Sequence, residues 1–161
     1  MTAPFFRALG VGVASLTIAA SLARADIELV REGRPQAVIV VSDQPTSVAR
    51  YAAKELSYHI ERASGARLPV VGESEAAQTP TRVYVGSTRA ARAAGVDVGT
   101  LAPEAFVLKT TGNALIIAGG DAEGDPLDSG TYAGTMFGVY EWLERDIGVH
   151  WLWPGELGTQ V

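Results

Sequence analysis

Asp121, Glu123, Asp125 and Asp128 form the densest run of chemistry-bearing side chains in this sequence. Alternating carboxylate oxygens are the ligands a calcium ion takes. The spacing departs from the helix–loop–helix calcium pattern, however. Counting from Asp121, glycine stands fourth, Pro126 sixth and Tyr132 twelfth, where the pattern needs glutamate. A solvated acidic loop is the expected reading. Gly119-Gly120 opens this loop after an apolar run, which invites comparison with phosphate loops. Neither the Gly-Lys-Ser/Thr ending nor a Gly-x-Gly-x-x-Gly run is present, and the acids that follow would repel phosphate.

The remaining candidates for catalysis are sparse. His59 and His150 are the only histidines, and no His-Glu-x-x-His spacing exists. His59 is expected on the flank of a helix and His150 on a strand, both in structural roles. Ser87 stands in Val-Gly-Ser-Thr, not in the Gly-x-Ser-x-Gly elbow of a serine nucleophile. A glycosidase needs two carboxyl groups about 5–5.5 Å or 6.5–9.5 Å apart. Acids are plentiful, but Glu141, Glu144 and Asp146 are most simply the solvent side of a helix. No catalytic, metal-binding or cofactor-binding residue is assigned. The aromatic candidates are Trp142, Trp151 and Trp153. Trp151 and Trp153 lie two apart and so point to one side of a strand. Such a pair either stacks on sugar rings or packs in a core or under a neighbouring domain.

The elements that would position these residues follow from periodicity. Met136, Val139, Tyr140, Leu143 and Ile147 repeat at three- and four-residue spacing, so they share one face of a helix. Gly148 ends it, and Val149 to Trp153 read as a short strand closed by Pro154-Gly155. Gly134 and Gly138 lie on one face of the same helix, each costing about 1 kcal/mol relative to alanine. That cost implies close approach of the backbone to a sheet or to a ligand. A second helix starts after Pro45, capped by Thr46 or Ser47. Val48, Ala52, Leu56, Ile60 and Ala63 form its apolar stripe, and Gly65 ends it.

Strands are expected over 27–31, 37–41, 67–71, 81–85, 104–111, 114–118 and 149–153. The AVIVV run at 37–41 is apolar throughout, as a strand buried on both faces would be. Glu32 to Pro35 is a turn, Ala90 to Ala94 a short helix, and Gly112-Asn113 a tight hairpin turn. Pro69 marks its strand as an edge or a strand start. The fold class is α+β, a mixed sheet of about seven strands packed against two main helices.

Residues 1–25 read as a signal peptide, with Arg7, an apolar run from Leu9 to Leu22, and Ala23-Arg24-Ala25 as the cleavage site after Ala25. The run is short for a membrane span, which needs about 20 apolar residues; an uncleaved anchor is the alternative. The expected location is periplasmic or secreted, with no membrane association after cleavage. Residues 26–153 form one domain, and 154–161 begin a linker. The net charge is −5, and losing Arg7 and Arg24 makes it more negative. No basic face is left to neutralise nucleic-acid phosphates. With no cysteine in the chain, a packed core must supply the stability.

Four segments together resemble a known family: AAKELSYHIERASGARLPVV (52–71), RVYVGST (82–88), EAFVLKTTGNALIIAGGD (104–121) and GTMFGVYEWLERDIGVHWLWPGELG (134–158). They look like the N-terminal domain of family 67 α-glucuronidases and related bacterial glycoside-hydrolase-like proteins. A similar domain precedes the barrel of β-N-acetylhexosaminidases. The resemblance covers nearly all of the chain after residue 25, and its most specific part is the last segment. It implies a mixed sheet with helices, standing before a (β/α)8 catalytic barrel that holds the catalytic acids. No position here matches those acids. The implied role is a non-catalytic accessory domain of an exported glycoside hydrolase acting in polysaccharide breakdown, with the barrel as its partner in cis. A free-standing carbohydrate-binding or surface interaction module is the alternative.

Overall fold

A computed structural model describes residues 27–76, 81–152 and 158–160. The expected leader with its Ala25 cleavage site, Trp153, and Pro154 to Glu156 lie outside the described residues. In chain order the elements are β1 (Val30–Arg31), β2 (Arg34–Pro35), β3 (Ala37–Val41), α1 (Ser47–Ser64), β4 (Val70–Gly72), β5 (Thr81–Val85), α2 (Arg89–Ala93), β6 (Phe106–Thr111), β7 (Ala114–Gly119), α3 (Gly134–Trp142), β8 (His150–Trp151) and β9 (Thr159–Gln160). A 3-10 turn spans Val98–Thr100.

The AVIVV run forms β3, buried along its whole length between β4 and β5. The main sheet has the order β4-β3-β5-β7-β6. Its first four strands are parallel, and β6 runs antiparallel to β7 at the edge. The fold is therefore α+β around a mixed five-stranded sheet. Of the seven expected strands, five enter this sheet. The first joins β2 in a small hairpin, and the last, reduced to His150–Trp151, pairs with β9. Pro69 directly precedes β4, which is an edge strand, because proline cannot donate to a ladder. The Gly112-Asn113 turn joins β6 to β7 with Gly112 at φ 53°.

Thr46 caps α1, accepting the Ala49 N–H at 3.0 Å, and Gly65 ends it in the left-handed conformation. Val48, Ala52, Leu56 and Ile60 are buried as their spacing requires. Each larger side chain contributes about 1.5–3 kcal/mol by leaving water. Ala63, expected on this stripe, is exposed, because the stripe drifts off the sheet at the last turn. His59 is buried rather than on a solvent flank.

α3 packs on the same face as α1. Met136, Val139 and Leu143 join Ile39, Val41, Val85 and Ile117 in the main core. Its last turn widens to a π-turn over Leu143–Ile147, ending at Gly148 with φ 84°. Ile116 and Ala118 point to the opposite face, where they meet Ala91 and Val96 in a smaller core beside α2.

The glycines of α3 are explained by the sheet. A Cβ on Gly138 would lie 3.1 Å from the Ile117 side chain and 3.2 Å from Phe106. A Cβ on Gly134 would lie 2.6 Å from the Ala105 carbonyl oxygen. Gly119 is tighter still, since its Cβ would fall 2.2 Å from the backbone of Gly134. Gly119-Gly120 is thus a backbone-on-backbone joint between β7 and the start of α3.

Candidate functional site

Trp151 is the residue around which the exposed apolar surface gathers. It is 37% exposed. Its ring packs edge-on against His59, with centroids 5.4 Å apart, and against Tyr140 at 5.2 Å. Phe106 on β6 and Phe137 on α3 are also exposed, and together with Tyr140 and Trp151 they line an open groove of about 550 Å³. Glu141 and Glu144 complete the lining. Leu152 beside it is 55% exposed. Three elements therefore build the groove: the start of β6, the outward side of α3 and the short strand β8, which the left-handed Gly148 turns back beside the helix.

Beneath Trp151 lies a polar cluster that holds its neighbours in place. The Tyr140 hydroxyl donates to Glu55 Oε2 at 3.2 Å, and His59 Nε2 stands 3.7 Å from the same oxygen. The His59 imidazole holds the Glu55 carboxyl below its usual range; burial opposes this, and the Tyr140 and Tyr51 hydroxyls reinforce it. Burial, with Glu55 nearby, pushes the Tyr140 phenol up, so it stays a neutral donor. His59 is 4% exposed, and its Nδ1 has no hydrogen-bond partner among the described residues.

Of the sequence candidates, Trp151 lies at the groove, while Trp142 is buried in the main core. His150 is exposed on β8 and is not brought to His59 by any described contact. Phe106, Phe137 and Tyr140 were not singled out by sequence reasoning as surface aromatics. Phe137 falls between the core positions Met136 and Gly138, and that phase on the helix was the available signal.

The acidic run divides. Glu123, Asp125 and Asp128 are exposed, and Asp128 accepts the Gly130 N–H at 2.8 Å in a local turn. Asp121, expected in a solvated loop, is half-buried at the base of that loop. Its Oδ1 accepts the Thr135 N–H at 2.7 Å, and its Oδ2 accepts the Thr46 hydroxyl at 3.3 Å. Burial pushes its carboxyl up, while Thr135 and Thr46 act in the other direction. Among the described residues no group of three or more His, Asp or Glu side chains is placed to hold a metal ion. No helix of the described residues is long and apolar enough to cross a membrane.

No family model and no curated protein matches this chain. Among solved structures the chain is similar to part of a GH138 enzyme targeting pectin rhamnogalacturonan II. The identity is 14% and the TM-score 0.42, over 68% of this chain and 10% of that one. The chain thus corresponds to about a tenth of the length of that enzyme.

Proposed function

We propose that residues 26–153 are a non-catalytic accessory domain of an exported glycoside hydrolase resembling the α-glucuronidase group, acting in polysaccharide breakdown. In this reading residues 1–25 are a cleaved leader, the location is periplasmic or secreted, and 154–161, with Thr159–Gln160 still paired to β8, begin the connection to a catalytic barrel. The observation that carries the reading is the exposed groove of Phe106, Phe137, Tyr140 and Trp151. Contiguous exposed aromatic surface usually marks an interaction site, and buried aromatic anchors dominate the energetics of such contacts. The groove's occupant is a face of the catalytic barrel in the same polypeptide.

The test starts with the genomic DNA beyond codon 161. A frame encoding a barrel is expected, and the joined protein should unfold in one transition. Phe137→Asp, at an exposed position, should split it into two. Absence of a barrel sequence, or hydrolysis of an aryl-glucuronide by this chain alone, would overturn the proposal.

A second reading, carbohydrate binding by the groove itself, draws on Glu141 and Glu144 beside the rings. Aromatic faces with carboxylate acceptors at their rim suit sugar rings and their hydroxyls. Retardation of the chain in gels containing soluble xylan or pectin, lost in Trp151→Ala, would favour it.

A further inference from the structure

The carboxyl ends of β3, β5 and β7 open into a second cavity, whose lining is distinct from that of the aromatic groove. β3 and β5 are neighbours in the sheet, yet the chain leaves them in opposite directions. After β3 it crosses through α1 to β4 on one edge; after β5 it passes α2 and reaches β6 on the other edge. α1 covers one face and α2 the other. A crevice must open where two neighbouring strands send their connections apart, and open α/β sheets bind ligands there. In this chain the crevice measures about 430 Å³, within the usual range for small-molecule sites.

Its lining decides the ligand class. Ser42 and Gln44 follow β3, Ser87 follows β5, and Asp121 follows β7, with Tyr132 at the side. The lining holds no lysine, arginine or histidine. Ser42 and Gln44 make no side-chain hydrogen bond among the described residues. Asp121 is fixed by Thr46 and Thr135, and each of its oxygens retains a lone pair. Asp121 is the one charged side chain in the lining. The Arg92 guanidinium lies outside it and is engaged with Ser87 Oγ at 3.2 Å, so the crevice offers ligand hydroxyls a carboxylate acceptor, an amide and hydroxyls.

We infer that this crevice is a binding site for a small neutral polyhydroxylated ligand of monosaccharide size, held by Ser42, Gln44, Ser87 and Asp121. The inference does not depend on the accessory-domain reading, because the groove and the crevice share no lining residue.

The test is an amide-resolved NMR titration of the full chain with D-glucose, D-xylose and D-galactose, and separately with inorganic phosphate. At least one neutral sugar should shift the Gly99, Gly119 and Gly120 amides saturably, and phosphate should not. Ser87→Trp, at an exposed position on the crevice wall, should abolish those shifts while leaving the rest of the spectrum in place. Gln44→Ala, also exposed, should weaken the titration. Overturning results are the absence of saturable shifts with all three sugars, shifts confined to the Phe137 and Trp151 groove, equal response to phosphate, or titrations unchanged in both variants. A response confined to the groove would leave the second reading of that groove standing while removing the crevice site.

Discussion

Thr46 and Asp121, 75 residues apart, join the starts of the two long helices. Thr46 caps α1 with its hydroxyl oxygen and donates its proton to Asp121 Oδ2; Asp121 Oδ1 in turn accepts the Thr135 N–H in the first turn of α3. Ala133, at the usual capping position of α3, has no side chain able to do this. Asp121 is therefore a cap supplied from across the base of the loop. Its removal leaves an N–H of α3 without a partner, at a cost of about 1 kcal/mol. Asp121→Ala should lose that amount in urea unfolding, whereas Asp128→Ala, at an exposed turn, should stay within about 0.5 kcal/mol of the parent. In a double-mutant cycle with Thr46→Ala the losses should not add, since the two residues share a hydrogen bond.

Gly119 tests the joint between β7 and α3. A methyl group there meets backbone 2.2 Å away, and backbone cannot rotate aside as a side chain can. Gly119→Ala should destabilise the fold by about 3 kcal/mol or more. Gly130→Ala adds a methyl 3.4 Å from the Asp128 carboxylate at a position without positive φ, and should be nearly neutral. Thermal melts of the two variants make the comparison.

The β1–β2 hairpin turns through Glu32 at φ 51° and Gly33 at φ 71°. Glutamate has no intrinsic preference for the left-handed region, whereas asparagine tolerates it and is favoured at the first position of such a turn. Glu32→Asn should therefore stabilise the chain by about 0.5 kcal/mol. An unchanged or lowered unfolding midpoint would contradict this.

Glu55 gives the protein an acid-side dependence. The groups facing it are His59 and Tyr51 on its own helix and Tyr140 from α3. Its folded carboxyl is held below the usual range, so the folded state binds fewer protons than the unfolded chain. The stability this supplies is present above the unfolded carboxylate range and is lost as pH falls through the lower folded value. Glu55→Gln should be less stable than the parent at neutral pH, and the difference should shrink toward acid. A difference that stays constant with pH would show that Glu55 contributes only as an uncharged acceptor.

Much of the frame was legible because it rests on local rules. The limits of β5, the cap and stop of α1, and the Gly112-Asn113 turn all follow from residue type and spacing. The start of α3 did not, because its cap, Asp121, comes from before the loop and looked like one more solvated acid. His59 looked like a flanking residue because its helix phase places it beside the stripe; Trp151, brought over it by β8, closes the site. The groove was half visible. Trp151 was evident as a candidate, but Phe106 and Phe137 come from separate elements that only the sheet order brings together.

The bare glycine contact at the base of α3 has an implication for variation in this chain. A joint between two stretches of main chain offers nothing for substitution to retune, so the helix cannot slide or pivot to suit a new sequence. The loop is pinched at its root by the Ala122 N–H to Tyr132 carbonyl bond and held to α1 through Ser47 and Gly124, so its tip from Asp125 to Gly130 is the part left to lengthen, shorten or change composition. Grafts placed there should ride on an anchor that does not register them.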